Sequence, residues 1–398
     1  MKVSQKINAI SPSLTLEITA KAKKMKAEGI SVIGFTAGEP DFNTPDYIIE
    51  SAKKALDIGF TKYTPASGTV ELKKAICEKF KTDNNLDYTP SQIVISTGAK
   101  SSLYHAICAI VEEGDEVIIP SPYWLTYPEL VKLAGGKCVF VETKKENGYK
   151  ITAEELENAI TEKTTCLILN SPNNPTGAVY SKEELDAIAK VVEDAKINVV
   201  SDEIYEKLVY NGKKFYSIAS SSEYLKEHTV VINGMSKTYS MTGWRIGYLA
   251  CPEKIAKAIS SMQSHTTSNA CSIAQYASVT ALVSPESKPF IENMVKTLDE
   301  RRKYIVNYIK EIKGLTCVEP DGAFYVFVDV SAFYGKTYEG QKIEGSLSFA
   351  DALLKNGVAV IPGVCFGDDN AVRLSSTVSM EDIKEGLKRI KNFTEVLK

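Results

Sequence analysis

Short apolar runs alternate with helical patterns over roughly the first 285 residues of this 398-residue chain. Runs of this kind are typical of strands that are buried on both faces. Their regular alternation with helices predicts a mostly parallel sheet covered by helices on both sides. The predicted strands are Gln92–Ser96, Glu116–Ile119, Thr165–Leu169, Asn198–Ser201 and Thr229–Ile232, and the predicted helices are Lys100–Val111, Thr126–Leu133 and Lys182–Asp194.

The pattern changes after about Pro285, where a smaller unit begins. A chain of this size with 44% hydrophobic residues can form more than one core. We therefore expect a large domain over residues 36–284, a small α+β domain over residues 285–398, and an N-terminal segment, residues 1–35, that packs with the small domain. The predicted elements of the small domain are a helix over Lys288–Ile312, a strand within Gly322–Asp329, short strands near Val358 and Val372, and a closing helix from Met380.

Charge and cysteine usage narrow the class of protein. The net charge of −3 provides no basic surface for nucleic acid, so a small-molecule partner is favoured. The eight cysteines include no Cys-x-x-Cys pair and the three histidines lie far apart, which argues for a reducing compartment and against a metal site. The N-terminal residues lack the apolar stretch of a secretory signal, and no segment stays apolar over the ~20 residues that span a bilayer. We therefore expect a cytoplasmic protein without a membrane partner.

Polar residues follow the predicted strands directly, at the edge of the sheet where ligands bind in open α/β folds. The turn Thr97–Lys100 opens a helix, and its free N–H groups suit a phosphate, although tight turns also use glycine for packing alone. Trp124 can stack on a ligand ring or lie in the core. Asn174, in a turn bounded by prolines, can aim its amide at a fixed point. Asp202, if buried, needs a cationic partner such as a pyridinium N–H; otherwise it caps a helix that starts at Glu203.

Lys237 lies in a loop shortly after the last predicted strand of the sheet. A lysine amine can form a Schiff base with an aldehyde cofactor when its surroundings suppress protonation, whereas an ordinary loop lysine is a solvated charge. Arg245, one of only five arginines in the chain, offers a guanidinium fork for a phosphate. On these two residues alone a solvated lysine stays the default interpretation, and a site for an aldehyde cofactor that carries a phosphate is the alternative.

Three motifs occur in order: Asn-Pro-Thr-Gly from Asn174, Ser-Asp-Glu-Ile-Tyr from Ser201, and Ser-Lys-Thr-Tyr-Ser-Met-Thr-Gly-Trp-Arg-Ile-Gly from Ser236. Shorter matching pieces are Thr36–Phe42, Tyr63–Gly68 and Arg373–Ser375. Together they resemble the class I aminotransferases of fold type I, which use pyridoxal 5′-phosphate, and most of all the bacterial aspartate aminotransferases. The resemblance covers essentially the whole chain. It implies an α/β fold whose large domain has a mostly parallel, seven-stranded sheet flanked by helices.

The resemblance also implies the cofactor-binding residues. Lys237 holds the cofactor as a Schiff base and acts as general base once substrate displaces it, while Asp202 pairs with the protonated pyridine nitrogen. Asn174 and Tyr205 donate to the phenolic oxygen, and Trp124 stacks on the ring. The backbone at Gly98, Ala99 and Lys100 binds the phosphate, together with Arg245 and the partner subunit's Tyr63. Many relatives have a further phosphate-binding serine at the position of Gly234, and here Ser236 or the backbone replaces that contact. The last contact implies a homodimer with shared active sites.

The substrate carboxylates have separate predicted partners. Arg373 matches the family's arginine for the α-carboxylate, which a guanidinium fork binds in two parallel hydrogen bonds. No arginine occurs in Ser261–Asn269, where one branch of the family binds the side-chain carboxylate. The resembled subgroup uses Lys100 instead, with hydroxyls of Ser13–Thr15. The substrate-binding residues implied in this way are Gly38, Trp124, Asn174, Arg373, Lys100 and Thr15.

The implied activity is that of an aspartate aminotransferase with ping-pong kinetics. L-Aspartate leaves its nitrogen on the cofactor, and 2-oxoglutarate collects it, with oxaloacetate and L-glutamate as products. A related transaminase for aromatic amino acids, alanine or prephenate stays open, because Lys100 can bind a carboxylate while apolar residues such as Phe324 accommodate a ring. A ligand-sensing regulator is disfavoured by the negative charge and by the lack of a basic helix-turn-helix before residue 30.

Overall fold

The chain folds into alternating helices and strands, and the computed structural model describes residues 1–398. The strands are β1 (Ile33–Gly34), β2 (Ile93–Thr97), β3 (Glu116–Ser121), β4 (Lys137–Glu142), β5 (Thr164–Asn170), β6 (Asn198–Asp202), β7 (Thr229–Gly234), β8 (Ile246–Ala250), β9 (Thr316–Cys317), β10 (Tyr325–Asp329), β11 (Thr337–Tyr338), β12 (Gln341–Lys342), β13 (Val358–Ala359), β14 (Ile361–Pro362) and β15 (Ala371–Ser375). The helices are α1 (Gln5–Asn8), α2 (Leu14–Ala27), α3 (Asp46–Asp57), α4 (Val70–Asn84), α5 (Ala99–Ile110), α6 (Thr126–Ala134), α7 (Ala153–Ala159), α8 (Lys182–Ala195), α9 (Glu223–His228), α10 (Glu253–Thr266), α11 (Ser272–Val283), α12 (Ser287–Lys310), α13 (Ser346–Lys355) and α14 (Met380–Val396).

The larger sheet has seven strands in the order β2-β8-β7-β6-β5-β3-β4. Strand β8 runs antiparallel to both of its neighbours, and the other six strands share one direction. Strands β7 and β8 are buried along their whole length, as expected when helices cover both faces of a sheet. The carboxyl ends of six strands and the start of β8 at Ile246 therefore lie along one edge.

The turn between β2 and α5 is a single glycine. Gly98 has a φ of 82°, in the left-handed region that glycine adopts without a steric penalty. The strand can therefore turn directly into the helix, and the first N–H groups of α5 face the edge of the sheet. This places a helix N-terminus, with its positive end of the dipole, next to the loops that follow the other parallel strands.

The smaller sheet is antiparallel, with the order β14-β15-β10-β9. Side chains from this sheet and from α12, α13 and α14 form a core of 24 buried residues. Strand β1 pairs in parallel with β13, and Phe35, which directly follows β1, is fully buried in the same core. Backbone hydrogen bonds thus join the N-terminal segment to the C-terminal part of the chain.

The predicted fold class is confirmed: a mostly parallel seven-stranded sheet with helices, beside a smaller α+β unit. Each predicted strand and helix has a counterpart whose bounds differ by only a few residues. Of the seven strands of the larger sheet, β4 and β8 are not predicted. Strand β4 lies at the edge of the sheet, and each of its residues is exposed or half-exposed. Strand β8 follows directly on the loop that carries Lys237, where no second helical pattern separates it from β7. None of the helices is both long enough and apolar enough to cross a membrane.

Candidate active site

A cavity of about 470 Å³ lies at the edge of the seven-stranded sheet where the parallel strands end. Its walls come from the loops after β2, β3, β5, β6 and β7, from α2, and from β10 and β15 of the smaller sheet. It brings together most of the residues predicted from the sequence, which are Thr15, Gly38, Ala99, Lys100, Trp124, Asn174, Asp202, Tyr205, Ser236, Lys237, Arg245 and Arg373.

Two of the predicted residues do not line this cavity, Gly98 and Tyr63. Gly98 lies directly beside it, since a Cβ at this position would come within 2.3 Å of Nη2 of Arg245. Tyr63 is on the surface and is 91% exposed. The single chain therefore assembles the predicted site except for the residue that the resemblance assigns to a second subunit.

Lys237 points into the cavity from the loop that follows β7. Its Nζ donates a hydrogen bond to the carbonyl oxygen of Gly38, at 2.6 Å. The same nitrogen lies 5.9 Å from the ring centroids of Tyr205 and Phe324. The amine therefore lies near two aromatic rings and has one hydrogen-bond partner.

The surroundings of Lys237 favour its neutral form. Burial lowers the pKa of the amine to about 8. The carboxylates of Glu39 and Asp202 oppose this shift, and the guanidinium groups of Arg245 and Arg373 add to it. Because a neutral amine is the form that acts as nucleophile and base, this position suits chemistry better than an ordinary loop lysine does.

Asp202 ends β6 as a buried carboxylate, only 3% exposed. Its Oδ2 accepts a hydrogen bond from the hydroxyl of Tyr127 at 2.8 Å, and its Oδ1 accepts one from the backbone N–H of Ile204 at 3.2 Å. Burial raises the pKa of Asp202 to about 6, while these two hydrogen bonds and the charge of Lys237 hold it down. Residues after Asp202 form turns rather than a helix, so the interpretation of this residue as a helix cap is wrong.

Arg373 on β15 is a buried guanidinium that faces no carboxylate. Its Nη1 donates to Oδ1 of Asn174 at 3.0 Å and its Nη2 to the carbonyl oxygen of Thr36 at 3.2 Å, while Nε has no partner. The group lies between two rings, 4.3 Å from the centroid of Tyr325 and 5.0 Å from that of Phe366. A permanently charged group buried in this way needs an anion, and its terminal nitrogens retain hydrogens for one.

Two hydroxyl groups meet beside Arg373. The phenol oxygens of Tyr205 and Tyr325 are 3.0 Å apart, and both side chains are buried. Asn174 is held in place through its backbone N–H, which donates to Oδ1 of Asn170 at 2.9 Å. Since the Asn174 side-chain oxygen accepts from Arg373, its amide nitrogen is available as a donor to a ligand.

Lys100 provides a second cation in the cavity. Its Nζ lies 4.9 Å from the ring centroid of Trp124, and no carboxylate within the chain pairs with it. Burial lowers the pKa of Lys100, and the charge of Arg245 adds to this effect. On α2, Thr15 lines the same cavity, with its hydroxyl 3.0 Å from that of Ser13. The predicted dicarboxylate partners are therefore adjacent to one space.

Two glycines allow the turn after β2 to pack on the sheet. A Cβ on Gly247 would come within 2.1 Å of the Ala99 nitrogen, so only glycine lets α5 start this close to β8. Gly234 lies opposite Gly247 on β7, and a Cβ there would lie 3.0 Å from the Gly247 Cα and from the carbonyl oxygen of Ile246. A side chain at Gly234 therefore requires this neighbouring backbone to shift by a few tenths of an ångström. Ser236 is buried and lines the cavity.

Several residues that line the cavity or contact its lining are not predicted from the sequence. Tyr127 donates to Asp202, Tyr325 contacts both Tyr205 and Arg373, and Glu39 accepts from the hydroxyl of Thr242 at 2.7 Å. Tyr127 carries a usable signal, because it lies in the first turn of α6, directly after the loop that carries Trp124. Tyr325 lies in an apolar strand pattern and is indistinguishable there from a core residue.

Comparison with known proteins adds to this geometry. The family model of the aminotransferases of class I and II matches residues 30–390. The aspartate aminotransferase of Bacillus subtilis (strain 168) is 51% identical over 396 residues, which cover 99% of both chains. A probable aspartate/prephenate aminotransferase of Aquifex aeolicus is 46% identical, over 99% of this chain and 98% of its own. The structure of the aspartate aminotransferase from Thermus thermophilus with maleate is 40% identical and superposes with a TM-score of 0.94, covering 99% of this chain and 100% of the other.

Proposed function

This chain belongs to the aminotransferases of class I and II, and we propose that it is an aspartate aminotransferase that converts L-aspartate and 2-oxoglutarate to oxaloacetate and L-glutamate. Its cofactor is pyridoxal 5′-phosphate, as in class I aminotransferases. The observation that carries the proposal is a pair of cations in one cavity, Arg373 and Lys100, neither of which faces a carboxylate of its own chain. All four reactants carry two carboxylates, so two such cations match them.

The residues of the cavity fit this cofactor. Asp202 is a buried carboxylate that no lysine or arginine pairs with, which suits a protonated pyridine nitrogen. The turn at Gly98 and the start of α5 lie against Arg245. The N–H groups of this turn and the guanidinium together suit a phosphate. Trp124 lines the same space and suits the face of an aromatic ring. When bound, the cofactor supplies an electron sink that makes the substrate Cα–H acidic.

The protein residues then supply binding and proton transfer. Arg373 binds the substrate α-carboxylate and so orients the bonds at Cα, and the amide nitrogen of Asn174 donates beside it. Lys237 would remove the proton from Cα and deliver it to the cofactor carbon that takes up the nitrogen, since its lowered pKa makes the neutral amine accessible near pH 8. Tyr205, whose hydroxyl lies 3.0 Å from that of Tyr325, donates to the cofactor's phenolic oxygen.

We also propose a homodimer with shared active sites. Tyr63 is 91% exposed, and Leu56, Ile58 and Val70, all within seven residues of it in the sequence, are 53%, 59% and 51% exposed. Exposed apolar side chains in one stretch of the chain suit a surface that a second copy covers. The partner subunit's Tyr63 then completes the phosphate site.

The chain divides into two domains. We propose domains at residues 36–284 and 285–398, with residues 1–35 packing on the second. The pairing of β1 with β13 and the burial of Phe35 support this division.

All eight cysteines are unpaired, which supports a reducing, cytoplasmic setting.

The role of Lys100 provides the sharpest test of substrate choice. We expect Lys100→Ala to lower kcat/KM for L-aspartate about 100-fold, the loss of one charge-assisted contact to the substrate, and to leave the reaction with L-alanine nearly unchanged. Single-turnover half-reactions followed through cofactor absorption measure each amino acid without a second substrate. Lys23→Ala is the matched control, because Lys23 also lines the cavity. Equal losses for aspartate and alanine in Lys100→Ala contradict the dicarboxylate assignment.

A second candidate substrate is prephenate. The cavity wall includes Leu16, Leu103 and Leu125 beside the two cations, and a relative at 46% identity carries the name aspartate/prephenate aminotransferase. Phe324 does not belong to this wall, because it is buried behind Tyr205 and Tyr325. The values of kcat/KM for oxaloacetate and prephenate as amino acceptors distinguish the two proposals.

A further inference from the structure

The loop that carries Tyr63 has almost no apolar anchors of its own. This segment, Thr61–Gly68, connects α3 to α4 and will be called the Tyr63 loop. Most of its side chains are exposed or half-exposed. Its conformation must therefore come from contacts made by its backbone with the rest of the protein.

Gln275 on α11 is one source of such contacts. Its side chain is fully buried, and its Oε1 accepts from the backbone N–H of Thr69 at 2.9 Å. Its Nε2 donates to the hydroxyl of Thr64 at 3.1 Å and to the carbonyl oxygen of Ala270 at 2.8 Å. One buried amide thus holds both ends of the segment that follows Tyr63.

Gln263 on α10 holds the same loop from another side. It is also fully buried, and its Nε2 donates to the carbonyl oxygens of Ala66 at 2.5 Å and Ile95 at 2.8 Å. Its Oε1 accepts from the hydroxyl of Ser96 at 2.7 Å. Because Ile95 and Ser96 belong to β2, Gln263 joins the loop to the strand that leads into the turn at Gly98.

The loop also touches β2 directly. The backbone N–H of Ile95 donates to the carbonyl oxygen of Ser67 at 3.0 Å. Gly68, at a φ of 101°, packs so closely on Ile95 that a Cβ would come within 2.3 Å of that side chain. The loop therefore has one well-defined position relative to β2, and both glutamines secure it.

We propose that Gln263 and Gln275 are positioning residues for the cofactor phosphate of the neighbouring subunit. This inference rests on the proposed homodimer, in which the partner subunit's Tyr63 reaches that phosphate. The hydrogen bonds of the two amides go to the Tyr63 loop, to Thr69 directly after it, to β2, and to Ala270 in the connection between α10 and α11. Removing one amide releases the loop and leaves the backbone groups that it had bonded without these partners.

A double-mutant cycle on cofactor affinity tests this assignment. We expect Tyr63→Phe and Gln275→Leu each to raise the dissociation constant of pyridoxal 5′-phosphate about tenfold, the effect of losing one hydrogen bond to a charged group. The double variant is expected to bind no more weakly than Tyr63→Phe alone, because both changes remove the same contact. Titration of cofactor into the cofactor-free protein, followed by absorption, gives each constant.

Two further variants keep the test decisive. Ser278→Ala is the matched control, since Ser278 is a buried polar residue of α11 that bonds only to the carbonyl oxygen of Ala274 in its own helix; its affinity should equal that of the wild type. Thr64→Val removes a single half-buried partner of Gln275 and is expected to weaken binding in the same direction if Gln275→Leu does not fold.

The measured affinities distinguish failure of the glutamine assignment from failure of the proposed homodimer with shared sites. If Tyr63→Phe binds cofactor as the wild type does, or if sedimentation velocity shows a monomer, the shared-site proposal fails. If Tyr63→Phe weakens binding but Gln275→Leu and Thr64→Val do not, or if the effects multiply to about a hundredfold in the double variant, only the positioning role of the glutamine is overturned.

Discussion

Replacing Asp202 by asparagine is expected to stabilise the cofactor-free protein at neutral pH. Burial raises the pKa of this carboxyl from its ordinary 3.8 to about 6, so the folded protein retains a proton that the unfolded chain has already lost. A carboxyl whose pKa is raised in the folded state stabilises the fold below its unfolded pKa, and this contribution is lost as the pH rises through the folded pKa. At about 1.36 kcal/mol for each pKa unit, the loss between pH 4 and pH 7 is about 3 kcal/mol.

Asparagine keeps the shape of the side chain and the polar contacts with Tyr127 and Ile204 but cannot ionise. Urea denaturation of both cofactor-free proteins from pH 4 to pH 8 measures the difference. The two free energies of unfolding should converge near pH 4 and differ by about 3 kcal/mol in favour of Asp202→Asn at pH 7. Added cofactor should stabilise the wild type more than the variant, because only the carboxylate pairs with a cationic nitrogen. Parallel pH profiles would refute the reasoning that burial governs this residue.

Three further substitutions test other contacts. Arg373→Lys keeps the charge but loses the fork and the stacking on Tyr325, so we expect kcat/KM for L-aspartate to fall about 100-fold or more in steady-state assays. Lys79→Met breaks a buried pair with Glu206 and leaves a carboxylate uncompensated, so the free energy of unfolding should drop by about 3–5 kcal/mol in urea titrations. Gly234→Ser adds atoms 3.0 Å from the neighbouring backbone and should lower the same free energy by about 1–3 kcal/mol, whereas an unchanged midpoint contradicts the packing argument.

The fold was predictable because its strands are buried on both faces. A strand such as β6, with Val199 and Val200 fully buried, reads as an apolar run that helices must cover. The order of the strands is a different matter, because it depends on pairings between distant segments. Nothing local to Ile246–Ala250 indicates that β8 inserts between β2 and β7 in the opposite direction.

The site was predictable where function follows a strand end. Asp202 is the last residue of β6 and Lys237 lies three residues after the end of β7, and the resemblance supplied their chemistry. The supporting contacts depend on which side chains meet in space. Tyr127 reaches Asp202 across 75 residues of sequence, and the hydroxyls of Tyr325 and Tyr205 meet across 120. A buried tyrosine or glutamine has the same sequence pattern whether it fills a core or orients a catalytic group.

Burial acts on both Lys237 and Asp202, to which the proposed function assigns the chemistry, and it moves each toward its neutral form. It lowers the pKa of Lys237 to about 8 and raises that of Asp202 to about 6. For a base that must accept a proton, the shift is useful in itself. For a carboxylate that must face a cationic nitrogen, the shift opposes function, and the hydrogen bond from Tyr127 only partly offsets it. With a pKa of about 6, Asp202 is mostly ionised at neutral pH, and a cationic nitrogen beside it would favour the ionised form further.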